Sequence, residues 1–257
     1  MMNKNFILIC YTAISCILSF SIMSCIKTST DSIAKPEIKT QTRIKRKLLF
    51  DYIKDTIPRM IFKYQYDNEM KLEKIDHYFG SNPDRSIVYE SFEYSTDKLI
   101  VRKLTYDYVD TVTGWKIADS TSYTYKEKIL ISEKTYFPLS SDYIYYKYEY
   151  KNSQLIKTTK FNNQVFEYYI SYEYFNNNCI KERMFTDSLG KDLYDFTNHQ
   201  YENNMLIKSE IYLSNNYKIQ EIFYTYDEVE KLIIEESKKV DLTIVKPLNY
   251  VARYEYY

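Results

Sequence analysis

Acid–base, nucleophilic or metal chemistry in this 257-residue chain would have to come from two histidines, His77 and His199, four cysteines and 35 carboxylates. No His-x-x-x-His, Cys-x-x-Cys or Asp-rich calcium loop is present, so no metal site and no cofactor are expected. The only glycines are Gly80, Gly114 and Gly190, which leaves neither a Gly-x-Ser-x-Gly elbow nor a phosphate-cradling loop. Scattered carboxylates do not exclude a hydrolase, because two catalytic acids need only be neighbours in space. His199 stands two residues before Tyr201, where neighbouring segments carry an aromatic, and reads as an aromatic stand-in. His77, beside Tyr78, reads as a strand residue. No catalytic residue is assigned.

Aromatic side chains are the other chemical resource: 31 tyrosines, 13 phenylalanines and one tryptophan. A phenol offers an apolar face and a hydrogen-bonding tip, so exposed tyrosines can stack on sugar rings or on a partner protein. The density Tyr143, Tyr145, Tyr146, Tyr148, Tyr150 requires tyrosines on both faces of an extended segment, one face less buried than the other. Two longer connections hold further candidates: Trp115 beside Gly114, and Tyr194 in the stretch 186–198. The candidate binding residues are therefore Trp115, Tyr143, Tyr145 and Tyr194.

A recurring phrase must position these groups. Anchored on its second aromatic, it falls at Tyr66, Tyr94, Tyr125, Tyr150, Tyr174, Tyr201, Tyr226 and Tyr256, in steps of 24 to 31 residues. Such a period marks one supersecondary unit repeated along the chain. Tyr148 and Tyr150 share a face of an extended strand while Glu149 points away. Polar Lys151–Gln154 supplies a turn, then Leu155 opens a second run that Phe161 closes. That spacing of six is even, so both residues share a face of a strand; a helix would leave them about 240° out of phase. Leu72–Tyr78, Leu130–Tyr136, Cys179–Phe185 and Leu206–Tyr212 repeat it, whereas Leu99–Tyr106 is seven and needs a bulge or shifted register. Each unit reads as a β-hairpin, joined to its neighbours by short turns. Cys179 takes the leucine slot and reads as a buried, inert thiol. The chain stops on Tyr254-Glu255-Tyr256-Tyr257, a lone first arm. The expected fold is all-β, an antiparallel meander of about fifteen strands, curled into a barrel or left as a twisted sheet.

The phrase Tyr-x-Tyr-(Asp/Asn)-x-x-x-Leu-Ile-x-Lys, seen around Tyr66-Asp67-Asn68, Tyr150-Lys151-Asn152 and Tyr226-Asp227-Glu228, resembles the tyrosine-aspartate repeats of RHS-type proteins. Over residues 60 to 257 the chain resembles lipoproteins of Bacteroidota-type bacteria carrying a porin-like β-meander domain of unknown function. The resemblance implies a fold and an envelope setting, and no activity.

The N-terminus fits that setting. Lys4 precedes an apolar stretch from Phe6 to Met23, a secretory signal by layout. Ile22-Met23-Ser24-Cys25 resembles the lipobox of bacterial lipoproteins, which implies cleavage before Cys25 and acylation of its thiol. Two acyl chains would hold the protein stably on a membrane. The expected organisation is a signal peptide at 1–24, an anchor and tether at 25–47, and one domain at 48–257. The tether carries Lys39, Arg43, Lys45, Arg46 and Lys47, read as a solvated linker or as a basic collar for anionic head groups. No acidic cluster follows Cys25, so an outer-membrane lipoprotein facing the periplasm is favoured over surface display. Loss of the signal leaves 34 basic against 35 acidic residues, a balance that gives no reason to expect nucleic acid.

Could the meander cross the membrane? Lys208 and Glu210 share one face of a strand, while Glu133 and Lys134 lie on opposite faces. A charge at the bilayer midplane of such a barrel costs about 2–4 kcal/mol, so a water-soluble body is expected. Its role is expected to be that of a non-enzymatic interaction or structural module, with a glycan-binding lipoprotein as the alternative and an envelope hydrolase as the third reading. The partners expected are the membrane through the anchor and an envelope protein or a glycan. No oligomeric state is legible.

Overall fold

The structure is a computed structural model that describes residues 43–52, 54–240 and 249–257. The described residues form sixteen strands in one closed antiparallel barrel, with every strand bonded to its neighbours in sequence. Seven hairpins run in order: β2 (Met60–Tyr66) with β3 (Leu72–Phe79), β4 (Asn82–Tyr94) with β5 (Ile100–Asp110), β6 (Gly114–Lys126) with β7 (Ile129–Phe137), β8 (Asp142–Lys151) with β9 (Gln154–Asn162), β10 (Val165–Phe175) with β11 (Asn178–Phe185), β12 (Leu193–Glu202) with β13 (Met205–Leu213), and β14 (Lys218–Tyr226) with β15 (Leu232–Lys239). The eighth hairpin joins the chain ends: β16 (Tyr250–Tyr256) pairs with β1 (Ile44–Phe50).

This closure changes two expectations. The final Tyr-x-Tyr arm has its partner in the N-terminal strand, where Ile44 and Phe50 show the same six-residue spacing as the other second arms. Residues 44–47, assigned to a tether from their positive charge, are part of the barrel. The charges find places there: Arg46 bridges Glu255 at 2.6 Å, and Lys47 is buried on the inner face, with its ammonium 5.1 Å from the centre of the Tyr254 ring. Residues 1–42, including Cys25, lie outside the described residues.

In all seven hairpins the register shifts just before the second tyrosine, as at Gln65/Tyr66 and Thr225/Tyr226. Each is a β-bulge, which bends the strand and increases its twist. In the second hairpin Tyr94 pairs with Ile100, not Leu99, so the second arm regains its six-residue spacing to Tyr106. The extra residue sits in the turn. Hairpins with one more turn residue place a single residue at positive φ: Met70, Lys98 and Glu230. In two of them the aspartate of the phrase holds the loop, with Asp67 and Asp227 each accepting from the amide four residues on at 2.8 Å. Ser95 does the same for Leu99 at 3.3 Å. The shorter turns place two consecutive residues at positive φ, Glu127-Lys128, Asn152-Ser153, Asn176-Asn177 and Asn203-Asn204. Both central residues of a type I′ turn need that conformation, and asparagine tolerates it best after glycine. Asparagine thus does the work that the scarce glycines would otherwise do.

The second tyrosine also ties one hairpin to the preceding one. Its hydroxyl donates to the backbone carbonyl that opens the previous second arm: Tyr66 to Ile44 (3.1 Å), Tyr94 to Leu72 (2.8 Å), Tyr125 to Ile100 (2.9 Å), Tyr174 to Leu155 (2.9 Å), Tyr226 to Leu206 (2.9 Å) and Tyr256 to Leu232 (2.6 Å). Each such bond contributes about 0.5–1.5 kcal/mol net. The repeat therefore has a mechanical reason: one residue pairs with its own hairpin, marks its bulge and latches that hairpin to the one before it.

Candidate functional site

Strand alternation divides the wall into two chemically different faces. Cα partners place Tyr64, Glu90, Lys103, Asp119, Tyr123, Glu133, Tyr148, Tyr172, Glu182, His199, Tyr224, Glu235, Tyr254 and Lys47 on the inner face. Tyr64, Tyr123, Tyr172 and Tyr224 are hemmed in by protein yet stay only half-buried. That combination describes the wall of a solvent-reaching lumen. Sixteen strands about 4.8 Å apart span roughly 77 Å measured across the strands, at a strand number where barrels leave an aqueous interior.

The lumen is a hydrogen-bonded lattice of phenols, hydroxyls and carboxylates. His77 Nε2 lies 3.1 Å from Glu90 Oε1, and Lys103 Nζ lies 3.5 Å from Glu90 Oε2. Burial opposes the charge on Glu90, but Lys103 and His77 outweigh it and hold the carboxyl down at about 2. Thr105 donates to Asp119 at 3.0 Å, and the Thr158 and Tyr172 hydroxyls are hydrogen-bonded to each other at 3.1 Å. Glu235 accepts from Tyr254 at 3.2 Å and from Tyr250. Burial raises Asp119 and Glu133, and burial together with the Glu182 charge lifts Asp195 to about 6. Burial also lowers Lys47, with Glu235 pulling the other way. The inner tyrosines are pushed up by burial first and stay neutral phenols at any ordinary pH.

The outer face is charged. Lys208 and Lys218 bridge Glu210 and Glu221 in a four-membered lattice at 2.8–3.2 Å, and Arg183 pairs with Glu173 at 2.8 Å. Register puts Trp115, Tyr143 and Tyr145 on this face, and the four candidate binding aromatics are spread over three hairpins, with Tyr143 and Tyr145 together on β8 and Tyr194 on β12. Trp115 packs edge-on against Tyr89 (4.8 Å) and Tyr108 (5.4 Å), with Tyr89 stacked on Tyr106 at 4.4 Å. Tyr145 leans on Phe161 at 5.9 Å, and Lys134 sits 3.8 Å from the centre of the Tyr143 ring. Tyr194 is 55 % exposed at the rim. Lysines lie against rings across the outer wall, as Lys74 does at Tyr89 and Lys157 at Tyr169. A ring face occupied by an ammonium is engaged by the barrel's own packing. Tyr146 and Tyr148, the other face of the dense segment, are buried inside, as their alternation requires.

His199 does take an inward tyrosine position, and Cys179 is buried in the leucine slot. Reading them one at a time missed their neighbourhood. Ligand atoms of Cys179, Glu182 and His199 all lie within 4.8 Å of one another. The signal available was that the two residues breaking the repeat fall in consecutive units.

No family model matches the chain, and no curated protein matches it. Among solved structures, it is similar in fold to a porin-like protein from Bacteroides uniformis, with a TM-score of 0.53 at 11 % identity over 83 % of this chain and 98 % of that one. A porin-like protein from Bacteroides vulgatus aligns with a TM-score of 0.44 at 10 % identity, over 72 % of this chain and 99 % of that one. The TcdB2–TccC3 assembly aligns over 70 % of this chain and 10 % of that one, at 13 % identity and a TM-score of 0.35. The first likeness bears on fold alone, and it agrees with the porin-like meander that the resemblance implies.

Proposed function

We propose that the protein is a lipid-anchored cell-envelope barrel that acts as a non-enzymatic interaction or structural module, standing in water beside the membrane. The observation carrying this reading is the charged outer wall of a closed barrel. A lipid-facing band would have to bury Lys208, Glu210, Lys218 and Glu221 at about 2–4 kcal/mol for each charge near the midplane, less for the acids. The lipobox-like Ile22-Met23-Ser24-Cys25 supplies the tether, and the likeness to porin-like Bacteroides proteins supports the envelope setting. The regular tyrosine latch speaks for a structural wall, because catalysis needs a locally irregular, pre-organised constellation. The test is metabolic labelling with a fatty-acid probe followed by fractionation. Label that disappears in Cys25→Ala, and a barrel that enters the soluble envelope fraction when residues 1–25 are replaced by a cleavable, non-lipidated secretory signal, are the expected results. A wild type without label, or a barrel that still needs detergent after that replacement, overturns it.

A further inference from the structure

Two hairpins depart from the repeat in adjacent units. The leucine slot of one holds Cys179, and the inner tyrosine slot of the next holds His199. Cys179 and Glu182 are three residues apart, an odd spacing that would put them on opposite faces of a regular strand. The bulge in β11 removes that conflict: Tyr174 pairs with Cys179 and Tyr172 with Glu182, so both side chains point inward. On β12, Thr197 faces Glu182, which sets His199 two residues on along the same inner face. The imidazole Nε2 lies 3.2 Å from Glu182 Oε1, and Nδ1 lies 2.8 Å from the hydroxyl of Ser209, which is buried and lies 3.4 Å from the Tyr224 hydroxyl.

We infer that Cys179, Glu182 and His199 form a metal site on the lumen wall, for a divalent ion of the zinc class. A thiolate, an imidazole and a carboxylate are the ligand types zinc takes, and three protein ligands leave a fourth position for water. Zinc–ligand bonds of about 2.0–2.3 Å at tetrahedral angles set ligand atoms about 3.3–3.7 Å apart. The Glu182–His199 spacing already fits, and the widest spacing of 4.8 Å closes by about 1 Å on a small swing of the thiol. Ser209 fixes the far nitrogen of the ring, the role a metal-binding histidine's outer partner plays. The sulfur selects against calcium and magnesium, which take oxygen ligands only. Cys179 Sγ lies 3.7 Å from the Lys181 carbonyl, a weak contact that the thiol gives up on becoming a thiolate.

The experiment is a titration of the full-length protein, purified in detergent and stripped with chelator, with Co2+ alone and then Zn2+. Binding of a single equivalent is expected, with a thiolate-to-cobalt charge-transfer band and the intense d–d bands of four-coordinate Co2+, both erased by Zn2+. Cys179→Leu and His199→Tyr restore residues that the repeat itself uses at those slots, so the barrel keeps its melting behaviour while affinity falls at least tenfold. Zn2+ should raise Tm of the wild type by more than that of either variant. Absence of Co2+ binding, a cobalt spectrum lacking the thiolate band, or wild-type affinity in either variant overturns the inference.

Discussion

Replacing Tyr94, Tyr174 and Tyr226 together by phenylalanine tests whether the repeated tyrosine latches the hairpins. Each substitution keeps the ring and removes one hydroxyl that donates to the preceding hairpin at 2.8–2.9 Å. A net hydrogen bond contributes about 0.5–1.5 kcal/mol, and all three tyrosines are half-buried, so the middle of that range applies. The three strands involved are separated by other hairpins, so the effects should add to about 3 kcal/mol. Urea unfolding followed by far-ultraviolet circular dichroism reads this directly. With m of about 2–3 kcal/mol per molar, the midpoint should fall by about 1–1.5 M with m unchanged. Tyr136→Phe, at an exposed outer position, serves as control and should stay within about 0.5 kcal/mol of the wild type. A triple variant as stable as the control would refute the latch and leave the repeat as ring packing alone.

Stability should pass through a maximum in mildly acidic solution. Asp195, lifted to about 6 by burial and the Glu182 charge, binds its proton more tightly folded than unfolded, so acidification through 6 towards its ordinary range adds stability, up to about 3 kcal/mol. Glu90, held at about 2 by Lys103 and His77 against its burial, contributes stability above its unfolded value that is lost as pH falls towards 2. Melting temperatures rising from pH 8 to about 5 and dropping steeply below 4 are expected; a flat profile contradicts the lumen electrostatics. Lys128→Gly should stabilise by up to about 1 kcal/mol, since Lys128 follows Glu127 in a turn with φ of 68° and 51°, and Lys128→Val should cost more than that, both read by thermal unfolding.

The hairpins were legible because side-chain alternation writes itself into spacing: a leucine and an aromatic six residues apart can share a face only on a strand. Closure was not, although Ile44 and Phe50 carry the same spacing. The charges between them, Lys45, Arg46 and Lys47, look like a solvated linker in one dimension. The structure shows Lys47 buried beside the Tyr254 ring and near Glu235, partners some two hundred residues away. The Cys179–Glu182–His199 group was hidden by an odd spacing that only a bulge converts to a shared face. Trp115, Tyr143, Tyr145 and Tyr194 were singled out as binding candidates; Trp115 and Tyr194 are exposed, whereas Tyr143 and Tyr145 are half-buried. That lysines would lie against neighbouring rings depends on cross-strand register, which spacing along one strand does not report.

Cysteine pairing across the chain ends tests the central claim, that β1 completes the eighth hairpin. Leu48 and Arg253 are Cα partners on the outer face, as are Leu48 and Ile61 on the other side of β1. With the native thiols replaced, Leu48→Cys/Arg253→Cys should oxidise to an intramolecular disulfide as readily as Leu48→Cys/Ile61→Cys, and chain cleavage in an intervening turn should leave the two ends linked until reduction. A disulfide in the second pair with none in the first would show an open sheet and contradict the closed barrel.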